Sequence, residues 1–166
     1  MLTALNKTNL SHYRGFTLIE SLITLLILGI VSATFLPRFF SVSSYQQRVF
    51  FADVLAAIRY AQKIAVLTGC NVQVSITNNS YVLKRPAALD RSQCNSTVAA
   101  EFTRAIAHPG SSETSYSGSQ SGISLTEASF YFNALGNASE DVEITVGGSK
   151  TIAVTKDTGF VYDLSS

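Results

Sequence analysis

Glu20 is the side chain most at odds with its surroundings. From Ser21 to Pro37 seventeen consecutive residues carry no charge, and Phe16 to Ile19 just before Glu20 are uncharged as well. A carboxylate inside a membrane segment costs about 2.5–3.5 kcal/mol on insertion scales, so a residue kept there points to a function. The chemistry open to it is capture of a positive group. Two opposite charges about 4 Å apart attract by roughly 4 kcal/mol at an effective dielectric of 20. Protonation within the membrane is the alternative. Two other residue types could do chemistry. Cys70 and Cys94 could pair or stay as separate buried thiols. His108 is the one histidine beyond His12, so a nucleophilic triad or a histidine-based metal site lacks partners. It precedes Pro109 in a polar stretch and reads as a solvated surface residue. The late glycines read as turns rather than as a phosphate cradle, and no cofactor or metal is implied.

The elements that must position these residues emerge from periodicity. The uncharged run, with Phe16 to Ile19, approaches the roughly 20 residues that a helix needs to cross a bilayer. Lys7 and Arg14 precede it, which keeps the first residues cytoplasmic and exports the head. In an oxidising compartment Cys70 and Cys94 should then pair. A secretory signal peptide cut after Ala33 is the competing reading. A charge at Glu20 and the apolar residues that resume at Phe35, Leu36, Phe39 and Phe40 argue against it.

Beyond Pro37 the pattern becomes amphipathic. Phe51, Val54, Leu55, Ile58, Ala61 and Ala65 recur at helical spacing, against polar Arg48, Arg59, Gln62 and Lys63. Gly69 suits a left-handed C-terminal cap. A helix from Phe16 to Thr68, kinked or loosened at Pro37, would hold 53 residues and reach roughly 80 Å, too long to be buried in the remaining head. The period then changes to two. Val72 to Ile76 and Tyr81 to Leu83 read as a hairpin turning at Asn78-Asn79. Pro86 to Asn95 reads as a loop, Val98 to Ala107 as helix or strand, and His108 to Gly122 as an exposed Ser/Gly loop. Phe130–Phe132, Val142–Val146, Thr151–Val154 and Phe160–Tyr162 read as strands, with Gly147-Gly148 as a hairpin turn. The expected fold class is α+β, a long N-terminal helix packed by its second half on an antiparallel β-sheet head.

Charge is polarised along the head. Residues 41–100 carry six basic and two acidic side chains, and residues 101–166 carry three and eight. This argues against a globally basic nucleic-acid binder and is compatible with like subunits packing positive surface against negative. Lys84, Arg85 and Arg91 form one small basic group in sequence.

Gly15-Phe16-Thr17-Leu18-Ile19-Glu20 before a membrane-length apolar run resembles the processing site of type IV pilins and type II secretion pseudopilins. The resemblance implies a leader of residues 1–15, cut after Gly15 by a prepilin peptidase that then methylates the new amine of Phe16. It implies that Glu20 receives such an amine during assembly, and that the helix loosens between Gly29 and Pro37. The domains expected are the leader, a membrane and filament-core helix (16–40), an amphipathic helix (41–69) and a β-rich periplasmic head (70–166). The implied partners are the peptidase, the inner membrane before assembly, and other pilins or pseudopilins. No enzymatic activity is implied. Phe130-Tyr131-Phe132, Gly136-Asn137, the Gly147-Gly148 hairpin and Thr158-Gly159 resemble heads of the FimT/GspH type, with Val161-Tyr162 in the style of mannose-sensitive haemagglutinin minor pilins. Phe160 stands where that group commonly has a basic residue, which weakens a DNA-binding role. A pilus-tip module for DNA or a surface ligand is the remaining alternative.

Overall fold

The computed structural model describes residues 17–39, 42–88, 90 and 92–164. The leader, Gly15, Phe16, the helix junction at 40–41 and Arg91 lie outside the described residues. The chain divides into two compact units, Met1–Val42 and Ser43–Ser166.

The first unit contains helix α1, Leu18–Phe39. Thr17 caps it: the backbone N–H of Glu20 lies 3.3 Å from Thr17 Oγ1, and that of Ser21 donates to the Thr17 carbonyl at 3.2 Å. Thr17-x-x-Glu20 is the residue pattern of a capping box, which places a carboxylate in the first turn, where the helix dipole favours it. Gly29 and Pro37 both lie within α1. Ten large apolar side chains between Leu18 and Val31 are exposed. Among the described residues no helix is long and apolar enough to cross a membrane.

All but the first residue of α2, Val42–Thr68, belongs to the second unit. The helix ends at Gly69, whose φ of 69° and N–H bond to the Ala65 carbonyl at 2.9 Å make the left-handed stop that favours glycine. Two antiparallel sheets come next, where the sequence suggests one. The first joins β1 (Val72–Ile76), β2 (Ser80–Arg85), β3 (Arg104–Ala105), β4 (Ser117–Ser119) and β5 (Ala128–Phe132). Its order is β3-β2-β1-β5, with β4 also on β2. The second is β6 (Val142–Val146), β7 (Lys150–Val154) and β8 (Val161–Asp163), in that order. One core joins α2 to both sheets: Val54, Ile58 and Ala61 from the helix, Val74, Leu83 and Phe130 from the first sheet, Ile144 and Ile152 from the second.

The Ser/Gly stretch His108–Gly122 is not simply an exposed loop. It contains β4, and Tyr116 is buried. Backbone pairing of Ser117–Ser119 with β2 needs no side-chain pattern, so composition could not reveal it. The ambiguous Val98–Ala107 becomes a single 3₁₀ turn, Ala99–Glu101, and the two-residue β3. The closing strand begins at Val161, leaving Phe160 outside it and 62% exposed.

Cys70 and Cys94 form a disulfide. It ties the segment after β2 across the far face of β1, where Phe102 is buried and stacks on Tyr131 at 6.1 Å. The buried Asn71 fastens the same crossing, with its N–H on the Cys94 carbonyl at 3.1 Å and its amide on the Ser96 carbonyl at 2.8 Å. This second cover explains why β1 is buried on both faces and why Gln73 is buried, donating to Ser129 Oγ at 3.1 Å. Closing a loop with a sequence separation of 24 stabilises by about 3 kcal/mol in the chain-entropy model. Replacing both cysteines with serine should lower the urea-unfolding free energy by that order, and a loss well under 1 kcal/mol would show that Asn71 and Phe102 hold the loop unaided.

Candidate functional site

The N-terminal site centres on Glu20. Thr17 fixes the first turn of α1 and so fixes where the carboxylate stands, exposed on a helix that carries no other charge between Leu18 and Pro37. Charge patterning singles out Glu20 but not Thr17. A signal for Thr17 is nonetheless present, since a hydroxyl three residues before an acidic side chain at the start of an apolar run is a helix-start pattern. The positive end of the helix dipole favours a carboxylate in this position.

Residues 10–36 match the prokaryotic N-terminal methylation motif. The chain carries the N-terminus of the type IV pilin and pseudopilin family. That motif is the mark of a subunit processed by prepilin peptidase and assembled with other pilins. The match ends within α1 and leaves residues 37–166 outside it. No curated protein and no solved structure matches the chain.

The head brings other polar groups together. Glutamines of α2, which in sequence stand out only as polar or not at all, hold the turns of the second sheet. Gln47 donates to the Val146 carbonyl and to Ser149 Oγ, both at 2.8 Å. Gln62 donates to the carbonyls of Gly136 at 2.9 Å and Thr158 at 3.2 Å. Arg59 donates to the Val161 carbonyl at 3.0 Å. A Cβ on Gly159 (φ 63°) would overlap the Gly136 carbonyl and crowd Gln62, so Gly159 is required both by its backbone angle and by this approach.

His108 is half-buried rather than solvated, because its ring stacks on Tyr116 at 4.4 Å. Tyr116 in turn stacks on Tyr60 at 5.1 Å and lies 6.4 Å from Tyr81. The Tyr81 hydroxyl donates to Asp53 Oδ2 at 2.6 Å. Of the basic group Lys84, Arg85 and Arg91, the structure separates the first two onto opposite faces of β2, as successive strand residues must be. Among the described residues no cluster of three or more His, Cys, Asp or Glu could hold a metal ion.

Burial, followed by the hydrogen bond and charge of Asp53, pushes the Tyr81 hydroxyl above its ordinary value of 10.0. Burial and then Asp53 do the same to Tyr116. Both folded values lie above the unfolded one, so this stabilisation is complete below pH 10 and is lost as pH rises beyond it. The unfolding free energy should therefore fall above about pH 10, and less steeply in Tyr81→Phe. At neutral pH the same variant should cost about 1–2 kcal/mol, because Asp53 loses its donor. A Tyr81→Phe protein with unchanged stability and an unchanged alkaline profile would refute the Tyr81–Asp53 assignment.

Proposed function

We propose that the chain is a non-enzymatic minor subunit of a type IV pilus, held first in the bacterial inner membrane and then assembled through α1. The observation that carries this reading is the methylation motif at residues 10–36 on a helix whose large apolar side chains are exposed. A helix apolar all round has to be covered by lipid or by protein. In the precursor, α1 spans the membrane as a single pass, with the leader cytoplasmic and the head periplasmic. In the filament, neighbouring subunits replace the lipid.

Prepilin peptidase cuts after Gly15, and Phe16 becomes the methylated first residue. The new amine is a cation near the positive end of a helix, an unfavourable place for it. Glu20 supplies the compensating carboxylate, on its own helix or across to a neighbour's amine, and at about 4 Å the attraction is roughly 4 kcal/mol at an effective dielectric of 20. Gly29, the poorest intrinsic helix former after proline, and Pro37, which removes a hydrogen bond, are the positions at which α1 loosens on assembly.

The FimT/GspH-like motifs and the Val161-Tyr162 ending favour a mannose-sensitive haemagglutinin-type pilus. A minor pseudopilin of type II secretion would share the same N-terminal chemistry.

Mass spectrometry of the chain expressed with a prepilin peptidase should find N-methylated Phe16 as the first residue. An uncut Met1 or a first residue of Thr34 would overturn the proposal. Glu20→Ala should still be cleaved but enter filaments at least tenfold less, about 1.4 kcal/mol or more. Wild-type incorporation of that variant would remove the charge-pairing mechanism while leaving the processing assignment intact.

A further inference from the structure

We infer that the head binds an organic oxyanion, a phosphate or carboxylate carried on a partly apolar group, between Arg85 and Arg104. The two arginines are far apart in sequence and become direct cross-strand partners where β2 meets β3. Side chains of directly opposed residues share a face, and like charges so placed repel. Among the described residues neither guanidinium has a hydrogen bond or ion pair, unlike Arg59 on its carbonyl. Glu101 and Glu113, the acidic residues next to β3 and to the adjoining loop, are exposed and pair with neither. The fold thus keeps two opposed cations together, with no carboxylate among the described residues in an ion pair with either.

The pair stands in a cleft of about 670 Å³, within the usual range for small-molecule sites. Tyr60, Ile64 and Thr68 of α2 form one wall, and Ile106 extends the other from β3. The stack of Tyr60 on Tyr116, itself backed by His108, holds the aromatic wall in place. Thr68 Oγ1 already donates to the Ile64 carbonyl at 2.7 Å. The arginines are therefore the donors directed at a ligand, and guanidinium forks match carboxylate and phosphate oxygens bidentately. The apolar wall takes the ligand's body. A polyanion such as duplex DNA fits less well. It requires a basic stripe, whereas residues 41–166 carry nine basic against ten acidic side chains and Lys84 faces the other side of β2. Every residue in this argument lies in the head, so the inference stands apart from the assembly reading.

The test is titration of the full chain in non-ionic detergent with phenyl phosphate and with benzoate, phenol serving as the neutral control, read by amide NMR shifts. Saturable binding with Kd in about the millimolar range or tighter is expected for at least one of the two anions, and the stronger of them names the oxyanion. Arg85→Gln and Arg104→Gln should each weaken it about tenfold or more, Arg104→Lys should weaken it less, and Lys84→Gln should leave it unchanged. Both glutamine variants should keep or raise the thermal midpoint, since removing one of two opposed cations relieves repulsion. The inference is overturned by no saturable shift in the wild type, by equal binding of phenol, by glutamine variants that bind as the wild type does, or by a fall in their thermal midpoints. A short DNA duplex that binds more tightly and loses as much affinity with Lys84→Gln as with Arg85→Gln would replace the cleft with a polyanion surface.

Discussion

The head depends on one helical face serving two sheets. A three-stranded sheet such as β6-β7-β8 is near the lower limit of independent stability, and β3 and β4 are too short to extend the first sheet far. The buried stripe of α2, from Phe50 to Ala65, supplies the common apolar layer. Its edge residues complete the arrangement. Gln47 and Gln62 bind carbonyls at the turns on either side of β6 and β7, and Asp53 receives Tyr81 from the first sheet. Each of these bonds satisfies a polar group at a rim where water is partly excluded, so the sheets are held in position as well as buried.

The same economy appears at the disulfide. A head of this size has limited apolar area to bury. The disulfide and Asn71 anchor the segment that follows Cys94, whose Phe102 supplies a second cover, so that β1 is buried on both faces. The consequence reaches the cleft. Once the loop has crossed β1, the chain returns as β3 along the free edge of β2, which is what sets Arg104 opposite Arg85.

The N-terminal unit obeys a different logic. The ten large apolar side chains of α1 that are exposed between Leu18 and Val31 cannot remain so in water, so its proper surroundings are other molecules. In such surroundings a single carboxylate dominates the electrostatics, and Thr17 determines where on the helix it sits. The carboxylate of Glu20 and the buried core of the head thus belong to separate units of the chain.

Much of this is legible in the residues alone. The motif from Gly15 to Glu20, the amphipathic face of α2, the stop at Gly69, the β1–β2 hairpin and the β6–β7 hairpin are all written in local spacing and turn chemistry, because each depends on neighbours within a few residues. What only the tertiary structure decided depends on residues distant in sequence. The division into two sheets, the pairing of the featureless Ser117–Ser119 with β2, the burial of Gln73 and the stacking of His108 all come from long-range contacts that leave no periodic trace. The basic residues illustrate the point most clearly. Sequence groups Arg85 with Lys84 and Arg91, its neighbours along the chain, whereas the pleat of β2 sends Lys84 to the opposite face and the crossover after the disulfide brings Arg104 alongside Arg85. Local spacing determines which residues share an element, but only strand pairing determines which charges share a cleft.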